Sequence, residues 1–178
     1  MTISSDSNLE PTTSDDVIDE PMILELDEPA LPEMPLSSDS EDPSPEESES
    51  RSTSVIREVV NLVNNERRKA GLSPLRIHSR LNAAAQAHSN DMARNNFMSH
   101  TGSDGSSPFD RMKRYGYNYR RAAENVAAGQ SSPQAVMRSW MNSSGHRKNI
   151  LNGSLRDIGV GYARGGRYGT YWTQNFGA

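Results

Sequence analysis

The acidic residues of this chain are crowded into one end. Residues 1–50 hold 16 Asp and Glu and no Lys or Arg, whereas residues 51–178 hold all 19 Lys and Arg and only 7 acids. The two parts therefore carry −16 and +12, which sum to the net −4 of the whole. A segment so charged and so poor in apolar residues cannot offset the entropy of ordering, roughly 1–2 kcal/mol per residue. Residues 1–53 read as a disordered acidic tail and residues 54–178 as one folded domain. Within the tail, Val17 to Leu26 mixes apolar and acidic residues and could dock on a partner. Ser37 to Asp42 would suit an acid-directed kinase. The basic domain is suited to contact polyanions such as nucleic acid, anionic lipid or wall polymer, with the tail as an internal competitor.

The totals exclude several classes. No cysteine is present, so there is no disulfide framework, thiolate metal site or cysteine nucleophile. No run of 18 apolar residues exists, so no membrane span is expected. The start, Met1 to Asp6, lacks the basic and apolar regions of a secretion signal. There is no phosphate-cradling glycine loop, and the serine pairs Ser106-Ser107 and Ser143-Ser144 lack a hydrolase elbow.

Apolar residues at helical spacing (Val55, Val59, Leu62, Val63) predict a helix from about Ser54 to Lys69, capped by Thr53 or Ser54 and ended by Gly71. A second helix is predicted from about Leu81 to Asn95, capped by Ser79, with Leu81, Ala84, Ala85, His88 and Met92 on one stripe. Ser107-Pro108 and Ser132-Pro133 each read as a cap plus first-turn proline, opening helices to about Tyr115 and through Met141. Ala135, Val136, Trp140 and Met141 should form the buried face of the latter. Ile158 to Ala163 and Tyr168 to Phe176 read as strands joined by a hairpin at Arg164 to Arg167. Tyr171, Thr173 and Asn175 alternate there with Trp172, Gln174 and Phe176. Gly159 and Gly161 would let another backbone approach closely. Helices first and a short antiparallel sheet last make the class α+β.

Three segments carry the chemistry: Phe97 to Gly102, Ala123 to Val126, and Trp140 to Arg147. They set His100, Glu124 and His146 at loop-like positions, 24 and 22 residues apart. Imidazole, carboxylate and imidazole are ligand types that suit zinc. A buried glutamate is costly alone, so Glu124 must be exposed, paired or a ligand. Cations beside His146 would favour its neutral form. His88, on an apolar stripe, is more often a hydrogen-bonded core residue than a site residue. His78 should be exposed, and Asp91 and Asp110 should lie on helix surfaces or pair with arginines. Tyr115, Tyr117, Tyr119, Arg120 and Arg121 could stack on bases or sugars and pair with phosphate, or simply pack on the sheet.

These segments resemble the CAP superfamily, which comprises cysteine-rich secretory proteins, antigen 5 and pathogenesis-related proteins. The similarity is to the compact bacterial form and covers about residues 54–178. It implies a three-layer α-β-α sandwich with a further strand near Glu124 to Ala127. It also implies a cleft ringed by His100, Glu124 and His146; His88 and Asn125 are the candidates for supporting residues beside it. Zn2+ is the implied metal, since Ca2+ would need more oxygen ligands. Two features depart from the family pattern: Ala123 replaces a glycine before Glu124, and Ser143 stands where larger members carry a second glutamate. The latter removes a candidate general base. The resemblance therefore implies an extracellular or cell-surface binding module, expected to be a monomer, for an unknown ligand, lipid or wall component. The alternatives are a metal-dependent hydrolase of peptide, peptidoglycan or nucleic acid, using His100, Glu124 and His146, and a polyanion binder regulated by its acidic tail.

Overall fold

The computed structural model describes residues 45–178, with side chains from Ser50 onward. The expectations for residues 1–44, the docking stretch and the kinase segment included, lie outside the described residues. In chain order the elements are α1 (Pro45–Lys69), β1 (Arg76–Ile77), α2 (Ser79–Asn95), α3 (Pro108–Arg114), β2 (Ala122–Ala128), α4 (Pro133–Asn142), α5 (Ser144–Ile150), β3 (Asp157–Gly165) and β4 (Gly169–Gly177). The sheet order is β1-β3-β4-β2. β4 pairs antiparallel with both β3 and β2, while the two-residue β1 pairs parallel with β3. The sheet is thus antiparallel except at β1, which the sequence did not announce: two exposed residues show no alternation.

Most apolar strand residues pack into one of two clusters. Ile158, Val160, Trp172 and Phe176 pack with Val59, Val63, Val136, Trp140 and Ile150 from α1, α4 and α5. Ala163, Tyr171, Val126 and Ala128 pack against Met92 and Ala93 of α2. The result is an α-β-α sandwich with both sheet faces buried. Trp140, Trp172 and Phe176 have no exposed surface, and each such side chain contributes roughly 1.5–3 kcal/mol through burial.

The expected stripe of α2 is fully buried. It reaches the sheet where β3 lacks side chains. A Cβ on Gly159 would lie 2.1 Å from the Leu81 carbonyl carbon, and one on Gly161 would lie 2.3 Å from Ala85. Close approach lets two α2 side chains bond the strand. Asn82 Oδ1 accepts from the Val160 N–H at 2.9 Å, and Gln86 accepts from Tyr162 N–H at 3.1 Å while donating to its carbonyl at 2.7 Å. On the far side of the sheet, the β2 carbonyls of Glu124 and Val126 accept from Asn149 and Trp140, both at 3.3 Å.

Several boundaries differ from expectation. α1 begins at Pro45, nine residues before Ser54, so Thr53 and Ser54 are interior and cap nothing. A proline is tolerated in a first turn. α2 begins at Ser79 itself, and its cap is His78, whose Nδ1 accepts from Arg80 N–H at 3.3 Å. α3 and α4 start as read, with Ser107 and Ser132 as caps; Ser107 forms a reciprocal capping box with Asp110. On α4, Met137 is buried alongside Val136 and Trp140, while Ala135 and Met141 are only half-buried. The hairpin closes one residue late, with Gly165 opposite Gly169.

A buried cation fastens the chain end of α1. Arg67 is inaccessible, and its guanidinium donates to the carbonyls of Ser73 (2.9 Å), Ile150 (2.8 Å), Asn152 (2.9 Å) and Leu155 (3.5 Å). Among the described residues no carboxylate pairs with it, and burial is the main cause lowering its pKa. Four carbonyls exploit the fixed fork of a guanidinium.

Candidate functional site

The three chemistry-bearing residues come from three different kinds of structure. His100 lies in the loop after α2, Glu124 is inside β2, and His146 is on α5. Only His100 is on a loop; Glu124 lies on the strand that the resemblance implied, and His146 differs from its loop-like expectation. α5 escapes a reading of periodicity because it is seven residues long and buries only Ile150.

The His100 loop is built from its own polar residues. α2 ends at Asn96, which takes the left-handed conformation (φ 57°) and whose side chain accepts from Arg167 N–H at 2.8 Å. His88 sits beneath the loop with no exposure, and its Nε2 meets the Ser99 carbonyl at 2.8 Å. A carbonyl only accepts, so Nε2 carries the proton and Nδ1 has no protein partner. Asp91 holds the far end, accepting from Ser103 N–H at 2.8 Å and Ser103 O–H at 2.6 Å. Asp91 and Asp110 thus serve a loop and a cap, and neither pairs with an arginine. A Cβ on Gly102 would press on Asp104 Oδ1 and Ser106 Oγ, each at 2.9 Å.

Glu124 is paired, and fully so. Its side chain is 2% exposed and faces the buried Arg111 of α3, whose Nη2 lies 2.9 Å from Oε2 and 3.1 Å from Oε1. His100 Nδ1 lies 2.9 Å from Oε1. The Asn175 amide, with its nitrogen toward Glu124, donates to Oε2 at 3.0 Å and accepts from Ala85 N–H at 3.2 Å. Arg111 also donates to the His100 carbonyl and the Ser106 carbonyl, both at 2.8 Å. One guanidinium therefore joins β2, the His100 loop and the start of α3.

Asn125, the next residue on β2, faces the other side of the sheet. It donates to the His146 carbonyl at 3.2 Å and to Gln174 Oε1 at 3.1 Å, and accepts from Asn149 at 2.9 Å. It thereby ties α5 to the strand that carries Glu124. Burial lowers the pKa of His146, and the nearby His100 lowers it further. The neutral form is favoured as expected, but the main cause is burial rather than the cations beside it. Burial also lowers His88 below its ordinary value.

A metal centre with three ligands does not fit this arrangement. Glu124 has a cation on its carboxylate already, and among the described residues no three His, Cys, Asp or Glu are grouped to hold an ion. The tyrosine and arginine cluster also separates. Tyr117 is buried and donates to Asp157 at 3.0 Å, whereas Tyr115 is exposed and Tyr119 is half-buried against Phe109.

The model of the CAP, or cysteine-rich secretory protein, family matches residues 60–176. The chain belongs to this family. Among curated relatives, the uncharacterised protein YkwD of Bacillus subtilis is 48% identical over 120 residues, covering 67% of this chain and 46% of its own length. The uncharacterised membrane protein YlbC of the same organism is 35% identical, covering 70% of this chain and 34% of its own. The chain thus spans less than half the length of either relative. A crystal structure of an extracellular protein with an SCP domain from Bacillus anthracis matches at TM-score 0.69 and 32% identity, covering 78% of this chain and 45% of that one. An outer surface protein of Borrelia burgdorferi shares the fold at TM-score 0.60 and 20% identity, covering 76% and 95%. Among the described residues, no helix is long and apolar enough to cross a membrane.

Sequence reasoning singled out His100, Glu124 and His146 but missed Arg111 and Asn175, which hold the Glu124 carboxylate. The usable signal was the buried glutamate itself, which demands a cation or several donors. Which of the 16 arginines supplies it depends on how α3 docks.

Proposed function

We propose that this CAP domain is a non-enzymatic binding module of the cell exterior, whose cleft offers His100 and His146 to a ligand. The observation that supports this most is the closed carboxylate of Glu124. Both of its oxygens face donors: Arg111 Nη2 is shared between them, His100 meets Oε1 and Asn175 meets Oε2. A carboxylate so occupied is a scaffold and not a general base, and Ser143 stands where larger relatives place a second one. The extracellular placement rests on the Bacillus anthracis relative, which is described as an extracellular protein. Zn2+, if bound, would be held by the two imidazoles and would supply a Lewis acid there; Glu124 would orient His100 rather than join the metal.

The hydrolase reading keeps one support. An imidazole held by a carboxylate is the arrangement that positions a general base, and His100 has that partner. Calorimetric titration with zinc separates the readings, comparing the intact protein with a His100→Ala/His146→Ala variant that still folds. One-to-one binding lost in the variant supports a two-histidine site. If that bound form then turns over peptide or wall substrates and a chelator abolishes it, the binding-module proposal fails.

A further inference from the structure

We infer that Arg111 is a positioning residue which, through Glu124, fixes the tautomer of His100 and so decides what chemistry the cleft accepts. The functional meaning rests on the cleft being the binding site; the tautomer itself does not. The argument is one of donors and acceptors. A guanidinium has five N–H donors and no acceptor. Both Glu124 oxygens lie within hydrogen-bond distance of Arg111 Nη2, and Oε2 also accepts from Asn175. Glu124 is therefore an acceptor at each of these contacts. The remaining contact of Oε1, His100 Nδ1 at 2.9 Å, must then be a donor, so the proton of the neutral ring sits on Nδ1. Nε2 is left with its lone pair.

His88 provides the opposite case within one protein. Its Nε2 faces a carbonyl and must donate, so its proton sits on Nε2. The two histidines, on either side of Ser99, are thus held in opposite tautomers by different acceptors. The consequence for ligands is directional. A cleft nitrogen with a lone pair takes a hydrogen-bond donor, such as a hydroxyl or ammonium group, or a Lewis acid. It does not take a carbonyl or an anion. Arg111 contacts no ligand in this scheme. Replacing it by a neutral residue takes the guanidinium donor from both Glu124 oxygens and from the His100 carbonyl, so the ring is no longer held against Oε1 and its proton is free to move to Nε2.

The test is long-range 1H–15N correlation spectroscopy of the ligand-free, 15N-labelled full chain at mildly alkaline pH, so it reads correctly even if the cleft binds nothing. The wild type is expected to show Nδ1–H at His100 and Nε2–H at His88. Arg111→Gln should exchange the two nitrogen shifts of His100 and leave those of His88 in place, which a general loss of packing would not do. Arg111→Lys, which keeps the charge, should retain Nδ1–H. An Nε2–H tautomer at His100 in the wild type or in Arg111→Lys overturns the inference, as does an unchanged His100 in a folded Arg111→Gln. If Arg111→Gln does not fold, the wild type and Arg111→Lys decide alone.

Discussion

Substituting Gly161 by alanine tests the packing that places the site. The added Cβ would lie 2.3 Å from the carbonyl carbon and oxygen of Ala85 and 2.5 Å from Gln86 N. Carbon atoms in contact sit about 3.5–4.0 Å apart, so α2 must retreat by roughly 1 Å. That movement stretches the bonds of Asn82 to Val160 and of Gln86 to Tyr162. Overpacking typically costs about 1–3 kcal/mol, and weakened hydrogen bonds add about 1 kcal/mol. The reduced freedom of the unfolded chain returns about 0.4–1 kcal/mol. The net expectation is a loss of about 2 kcal/mol and a fall in Tm of roughly 6–10 °C, read by circular dichroism on heating and by urea titration. Gly145→Ala makes the same chemical change in α5, where nothing lies within 4 Å. It should be neutral or stabilising by up to about 1 kcal/mol. A Gly161→Ala protein within about 0.5 kcal/mol of wild type, or two variants shifted in the same direction, would refute the close-approach argument.

Arg67→Met would leave four carbonyls without their donor, and a loss of at least about 3 kcal/mol in urea unfolding is expected, with Arg67→Lys intermediate because an ammonium cannot reach all four. His88 and His146 both have folded-state pKa values lowered from 6.5. The unfolded chain therefore binds the more protons, and stability is full above that value and declines as pH falls below it. The urea midpoint should drop between about pH 7 and pH 5, and His146→Gln should flatten that drop. Ser107→Ala removes the side chain that caps α3 and should destabilise by about 1 kcal/mol, measured by the same titration.

Local chemistry was legible wherever one residue decides it. The two Ser-Pro starts, the left-handed Gly71, the alternation from Tyr171 to Phe176 and the stripe of α2 all reappear. They depend on neighbours within a turn or a strand. β1 and α5 depend instead on what they dock against, being too short to repeat a pattern. The same division runs through the site. His100, Glu124 and His146 stand in recognisable segments, but the role of Glu124 is set by Arg111, 13 residues away in sequence and brought in by α3. Nor could periodicity reveal that Arg67, one of three basic residues ending α1, is buried while its neighbours are exposed. Three of its four partners are carbonyls more than 80 residues further on.

The bonds that Asn82 and Gln86 make to β3, and that Trp140 and Asn149 make to β2, bear on how this protein behaves in a crowd. Unpaired strand margins invite other chains to add their own strands, the first step toward swapped dimers and fibrils. Here β2 on one side, and β3 beyond the two-residue β1 on the other, are met by side chains from helices, which present no extended backbone for a newcomer to copy. A domain so finished can be held at high local density without polymerising. Asn82→Ala/Gln86→Ala would reopen one margin, and its signature would be assembly that grows with protein concentration rather than a change in ligand affinity.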